Sequence, residues 1–259
     1  MATSPIRNLS EAQRDFKSSL EEMGKSGTHL RDALDDFLFM ASTAFRQAVH
    51  VFKTGSPDME MEESLQVLKS RYKCPNDFGK ALACMVKGFE IEAHDFLGNF
   101  YGAIDAHNEK TGQFFTPCSL SETIARMTLT REHYEATIAE GKRFSISEPA
   151  VGAGGMIIQV AKLMKEWDAH ASTWYVDCTD VDIRCVRMAY VQFTLLGIPA
   201  FVRHGNTLSL EEWDCWPTLT MAMNPLNARP TVKEEVKAQL AINEASTPFS
   251  RKLVLTRKR

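Results

Sequence analysis

The chain has 259 residues, 44% of them hydrophobic and 24% charged, with a net charge of −3. That is apolar material for one large domain or a domain with a sizeable extension, and a weakly acidic balance does not advertise a nucleic-acid binder. No apolar run reaches ~18 residues, so no membrane span is expected. The opening Met1-Ala2-Thr3-Ser4-Pro5-Ile6-Arg7-Asn8 carries no apolar signal region. The six cysteines (Cys74, Cys84, Cys118, Cys178, Cys185 and Cys215) are scattered, with no Cys-x-x-Cys pair. They read as reduced cytoplasmic thiols, and no metal site is expected.

From Ser10 to about Asn108 the pattern is helical. Ser10 followed by Gln13 is a capping pair. Leu30, Leu34, Phe37, Leu38, Ala41, Phe45, Ala48 and Phe52 keep three-and-four spacing until Gly55-Ser56-Pro57-Asp58 breaks it. Glu60 to Tyr72 predicts a further helix with Leu65 and Leu68 facing inward. Another follows Pro75-Asn76-Asp77 and runs to about Glu92. Asp95 to Tyr101 predicts a short one. Basic and acidic residues are mixed along this block, which favours a helical bundle covering the next domain over a DNA-contacting stripe. Met40, Met59, Met61 and Met85 suit adaptable packing.

Strand and helix signals alternate from Gly112 onward. Thr111 to Pro117 is a loop with two adjacent aromatics, Phe114 and Phe115. Ser119 to about Leu129 predicts a helix capped by Ser119 or Ser121. Phe144–Ser147, Trp174–Thr179, Ala200–His204 and Leu219–Met223 predict four strands, and Ile183 to Leu196 a helix closed by Gly197 and Pro199. Such alternation implies a parallel sheet with right-handed crossovers and ligands at the carboxyl ends of its strands. Glu148, Asp180, Asn206 and Asn224 are expected at four such ends.

The chain is organised around Glu148-Pro149-Ala150-Val151-Gly152-Ala153-Gly154-Gly155, a glycine turn between a strand and a helix. Its glycines admit φ > 0 and close approach of a ligand to the backbone. The free N–H groups of the new helix would face that ligand, a phosphate or the adenosyl-methionine end of a methyl donor. The spacing is not Gly-x-Gly-x-x-Gly and no Gly-Lys-Ser/Thr follows, so the dinucleotide and P-loop fingerprints fail. Asp180, 26 residues past Gly154, suits a grip on ribose hydroxyls. Its competitor Asp182 reads also as a helix cap, and Asn206 as an adenine contact or a turn residue.

Taken together these segments resemble the N6-adenine DNA methyltransferases that serve as modification subunits of type I restriction systems. Gly112-Gln113-Phe114-Phe115-Thr116-Pro117 is similar to that family's Gly-Gln/Glu-Phe-Tyr/Phe-Thr-Pro, and Glu148 to Gly155 to its Asp-Pro-Ala-Cys-Gly-Ser-Gly-Gly. Asp180-Val181-Asp182 through Leu196-Gly197-Ile198, and His204-Gly205-Asn206-Thr207-Leu208, follow in the family's order. The likeness runs from about Asp95 to Pro225. It implies a Rossmann-like α/β methyltransferase sheet over residues 111–259, preceded by a helical N-terminal domain over 1–110.

The resemblance further implies S-adenosylmethionine as cofactor. Phe115, Thr116 and Pro117 would contact its methionine end, Glu148, Gly152 and Gly154 its main cradle, Asp180 its ribose and Asn206 its adenine. A target adenine flipped from DNA would meet Asn224 and Pro225. The family's Asn-Pro-Pro-Tyr/Phe is here Asn224-Pro225-Leu226-Asn227, without the aromatic that stacks on the base. That loss is worth ~1–3 kcal/mol. After Pro225, Thr231 to Glu244 predicts a helix and Lys252 to Thr256 a fifth strand, with a basic Arg257-Lys258-Arg259 ending. The family's seven-stranded sheet and target-recognition region do not fit in that length, so the sheet is expected to be truncated.

The leading expectation is an adenine-N6 DNA methyltransferase acting on DNA, with a specificity or other protein subunit as partner, no metal and no membrane. The alternatives are a non-catalytic relative that binds cofactor, DNA or a partner subunit as a regulator or decoy, and an RNA or protein methyltransferase.

Overall fold

The computed structural model describes residues 9–23, 29–72, 76–105 and 116–224. Five helices come first: α1 (Glu11–Met23), α2 (Leu30–Thr54), α3 (Met59–Lys69), α4 (Asn76–Ile91) and α5 (Phe96–Asp105). Their ends follow from local chemistry. Gln13 N donates to Ser10 Oγ at 3.2 Å while Ser10 N donates to Gln13 Oε1 at 3.0 Å, the reciprocal box expected from the sequence. Gly55, at φ 77°, closes α2 with its N–H on the Val51 carbonyl, and Asp58 caps α3 by accepting from Met61 N. Phe16 is fully buried, with the rings of Phe37, Phe96 and Phe100 edge-on at 5.0, 5.4 and 5.0 Å.

The remaining elements are α6 (Cys118–Thr128), α7 (Arg131–Ala139), β1 (Phe144–Glu148), α8 (Gly155–Glu166), β2 (Trp174–Asp180), α9 (Ile183–Leu195), β3 (Ala200–Asn206), β4 (Glu211–Pro217) and α10 (Leu219–Met223). The sheet order is β1-β2-β3-β4, with β1, β2 and β3 parallel and β4 antiparallel to β3. The protein is therefore α/β with a helical N-terminal region. Phe144, Ile146, Trp174, Val176, Cys178, Ala200 and Val202 alternate into a core shared with Ile157, Ile158, Val186 and Ala189 of the crossover helices. At the end of α9, Ile198 N reaches Phe193 O and Gly197 N reaches Thr194 O, with Gly197 at φ 67°. That is a Schellman arrangement, with Gly197 closing the helix as the sequence predicts.

The helical region packs onto the sheet through α9. Ala153, Cys185, Met188 and Val191 share one buried cluster with Phe16, Phe37, Phe96 and Phe100. Arg184 grips Asp35 of α2 in a fork, at 2.6 and 2.9 Å. Arg46 of α2 stacks over the Trp216 ring of β4 at 4.5 Å.

Three sequence expectations are corrected. Leu219–Met223 is helix, not the fourth strand: Thr218 accepts Met221 N and so caps a helical turn that a short apolar run cannot specify by itself. The fourth strand is Glu211–Pro217, antiparallel, so the sheet is mixed and not wholly parallel. Its Glu211, Glu212 and Asp214 hide the strand pattern. Ser119 and Ser121 do not cap α6, whose cap position is Pro117; Ser121 is fully buried within the helix. The expected helix over 231–244, the strand over 252–256 and the basic end lie outside the described residues. So does the expected domain boundary at 110/111.

Candidate functional site

Glu148 ends β1, Asp180 ends β2 and Asn206 ends β3, at the carboxyl ends of adjacent parallel strands. The register sets them as a staircase: Glu148 pairs with Cys178, two residues short of Asp180, and Asp180 with His204, two short of Asn206. Strands stand about 4.8 Å apart, so the outer two members are about 10 Å apart across the sheet.

The glycine turn joins this edge to α8. Gly152 has φ 56° and Gly154 φ 102°, backbone that a side chain strains. Gly154 is the N-cap of α8. The first intrahelical bond runs from Ile158 N to Gly154 O, so the N–H groups of Gly155, Met156 and Ile157 precede the helix's own ladder. These amides and the positive helix end favour an anionic or electron-rich group.

Asp180 is the hub of the edge. Its Oδ2 accepts Gly152 N at 2.8 Å and its Oδ1 accepts Asp182 N at 2.9 Å. One carboxylate therefore fixes both the glycine turn and the start of α9, and each oxygen keeps a second lone pair for a ligand. Asp182 takes the capping role, accepting Arg184 N at 2.8 Å. Glu148 Oε1 accepts Ala150 N at 3.1 Å within its own turn. Asn206 Oδ1 accepts from Leu208 N at 3.0 Å, and Thr207 Oγ1 donates to Pro149 O at 2.7 Å, tying the β3 loop to the glycine turn.

α6 runs beside α8 in the same sense. Gln159 Nε2 meets Cys118 Sγ at 3.2 Å near one end, and Arg126 grips Glu166 at 2.9 and 2.7 Å near the other. Thr116 and Pro117, exposed just before α6, thus stand toward the glycine-turn end of α8.

Asn224 is elsewhere. Its backbone carbonyl accepts Arg143 Nη1 at 2.7 Å, and Arg143 precedes β1. Thr218, which opens α10, donates its N–H to Ala200 O at the start of β3. Asn224 therefore sits at the amino edge of the sheet, at the opposite end of β1 from Glu148. The structure brings together Glu148, Gly152, Gly154, Asp180 and Asn206, with Thr116 and Pro117 on the α8 flank, and leaves Asn224 apart. Phe115 and Pro225 lie outside the described residues.

Sequence reasoning passed over Asp95 and Gln192, which lie directly under the turn. Gln192 Nε2 donates to the Ala153 carbonyl at 2.7 Å and to Asp95 Oδ1 at 2.9 Å. The only sequence signal was a polar residue inside the apolar run Tyr190-Val191-Gln192-Phe193; Asp95 read as a helix start.

The turn's tightness is testable. A Cβ on Gly154 would lie 2.5 Å from Cε1 of Phe193, a ring that is fully buried and cannot swing away. Gly154→Ala should lower stability by about 2 kcal/mol, from overpacking and a left-handed backbone together. A urea midpoint equal to the unmutated protein's would show that the loop relaxes freely.

A sequence model of the family described as "N-6 DNA Methylase" matches residues 92–245, more than half of the chain. Among curated proteins none matches. One similar solved structure is a Listeria monocytogenes protein described as a class I S-adenosylmethionine-dependent methyltransferase: 18% identity, TM-score 0.41, covering 76% of this chain and 54% of that one. Another is the methyltransferase subunit of a type I restriction-modification system from Streptococcus thermophilus: 14% identity, TM-score 0.37, covering 81% of this chain and 60% of that one. The chain thus spans less than two thirds of the length of each.

Proposed function

The chain belongs to the N-6 DNA methylase family, and from that premise we propose that it binds S-adenosylmethionine and methylates adenine N6 in DNA. The observation that carries the reading is the Asp180 carboxylate, which holds the glycine turn and the start of α9 while keeping lone pairs toward the strand ends.

The residues fit the cofactor. Gly152 puts no side chain between the turn and a ligand, Gly154 lets the turn close against Phe193, and the first amides of α8 offer donors to a carboxylate. Asp180 would accept the ribose hydroxyls. Asn206, whose carbonyl oxygen is used by its own turn, would donate from its amide to an adenine ring nitrogen. Thr116 and Pro117, with Phe115, would border the methionine end, and Glu148 would close the cradle. When bound, the cofactor supplies a methyl group activated by its sulfonium.

On the acceptor side, the Asn224 side-chain oxygen and the Pro225 carbonyl would take the two N6 hydrogens and keep the nitrogen lone pair free. Asn224 must then leave the amino edge for the carboxyl edge of the sheet. Its present place beside Arg143 is the observation on which a second reading rests, a relative that binds cofactor, DNA or a protein subunit without catalysis. DNA, a specificity or other subunit as partners, and a cytoplasmic location belong to the proposal. Among the described residues no helix is long and apolar enough to cross a membrane.

The test pairs calorimetry with methyl transfer. The purified protein is titrated with S-adenosylmethionine, then incubated with radiolabelled cofactor and several DNAs, which are digested and searched for N6-methyladenine. Binding with transfer supports the first reading. Binding without transfer supports the second. No binding overturns both as stated for the cofactor.

We also propose that residues 1–110 and 111–259 are two domains that stay together. A nick between 106 and 115 should give two pieces that co-elute, since Arg184–Asp35 and the shared apolar cluster hold α2 against α9. Separate elution of two folded pieces would refute this.

A further inference from the structure

Beneath the glycine turn a buried polar pair joins three elements. Asp95, just ahead of α5, is 8% exposed, and Gln192 of α9 is fully buried. Asp95 Oδ1 accepts Gly98 N at 2.8 Å and Gln192 Nε2 at 2.9 Å. Gln192 Nε2 also donates to the Ala153 carbonyl at 2.7 Å, and its Oε1 accepts Leu97 N at 3.1 Å. The carboxylate fills the space that side chains would need at two glycines. A Cβ on Gly98 would lie 2.1 Å from Asp95 Oδ2, and one on Gly155 would lie 3.0 Å from the same atom. Burial pushes the Asp95 carboxyl above the usual carboxylate range, against the pull of Gln192 and Gly98 N.

Placing an acid and an amide in an apolar interface is costly unless every group is bonded. Here the bonds end on one carbonyl of the turn and on the start of α5. Packing alone would be served by an apolar pair of similar volume.

We propose that Asp95 and Gln192 are positioning residues for the glycine turn, holding the Ala153 carbonyl so that the Gly155, Met156 and Ile157 amides keep the orientation that receives the cofactor. The inference rests on the cofactor reading above and extends it: the helical region supplies part of the cofactor site's support. The carboxylate strengthens the Gln192 donor bond by its charge, and Gln192 relays that constraint to the turn.

A matched control exists in the same molecule. Gln47 of α2 is also buried, and clamps backbone with both ends, Nε2 to Asp58 O and Oε1 from Asp58 N, each at 3.0 Å. Gln192→Leu and Gln47→Leu are therefore alike in chemistry and differ in what they clamp.

The experiment measures S-adenosylmethionine affinity by calorimetry, and amide hydrogen exchange at Gly152 to Met156, in the full chain. Gln192→Leu should weaken affinity about tenfold and speed exchange in the turn, whereas Gln47→Leu, at similar thermal stability, should leave affinity within about twofold. Should Gln192→Leu not fold, Asp95→Asn keeps the acceptor and volume but removes the charge, and should weaken affinity about threefold. A folded Gln192→Leu, or failing that an Asp95→Asn, with unchanged affinity overturns the positioning role while the cofactor reading stands. Absence of binding by the unmutated protein overturns the cofactor reading and this inference with it.

Discussion

Asp180→Ala is expected to weaken S-adenosylmethionine binding about a hundredfold, while Asp182→Ala leaves it within about threefold. The two acids stand two residues apart and the structure separates their work. Asp182 accepts Arg184 N and caps α9, a role worth about 1 kcal/mol of stability. Asp180 accepts Gly152 N and Asp182 N, from two different turns. Its loss frees the glycine turn, loosens the start of α9 and removes the acceptor for the ribose hydroxyls at once. Bonds to a charged group contribute about 1.5–3 kcal/mol each, so losing even one ribose bond and some loop order reaches the hundredfold range. Asp180→Asn keeps one acceptor oxygen and should fall between. Calorimetry on folded variants, checked by thermal melts, reads the difference. Equal affinities for Asp180→Ala and the unmutated protein would remove Asp180 from the site.

The place of Asp180 at a strand end was legible because strand-end positions are local. A glycine turn after an apolar strand, and an acid ending the next one, are set by neighbours in sequence. The helical region was legible for the same reason: capping at Ser10 and Gly55 and the three-and-four spacing of α2 are local signals, and all three appear in the structure. What failed depends on distant partners. Leu219-Thr220-Met221-Ala222-Met223 suits strand or helix, and Thr218 decides by capping the turn while its N–H holds Ala200 O. β4 carries Glu211, Glu212 and Asp214, so its pairing with β3 is written in backbone, with Arg203 gripping Asp177 and bonding Glu212 across it. The Asp95–Gln192 pair spans ninety-seven positions, and neither residue carries a local mark of its partner.

Asn224→Ala carries the largest expected effect, a loss of methyl transfer of about a thousandfold or more with cofactor affinity unchanged. The two halves of that expectation come from different observations. Affinity should hold because Asn224 bonds Arg143 and Thr220 at the amino edge of the sheet, away from Asp180 and the glycine turn. Transfer should fall because adenine N6 is a poor nucleophile, its lone pair delocalised into the ring. Acceptors for both hydrogens are what localise that pair, and the Asn224 side chain is one of the two in the proposed site. The companion variant addresses the base's stacking. Asn227→Tyr with Leu226→Pro, at positions outside the described residues, restores an aromatic face worth about 1–3 kcal/mol, or roughly ten- to a hundredfold in rate. Radiolabelled transfer to DNA, read as N6-methyladenine, measures all three proteins. Activity that survives Asn224→Ala would displace the acceptor site from this loop. Cofactor binding without transfer in the unmutated protein, still silent after the double replacement, would mean that Asn224 never reaches the carboxyl edge where Asp180 stands, and the non-catalytic reading would then hold.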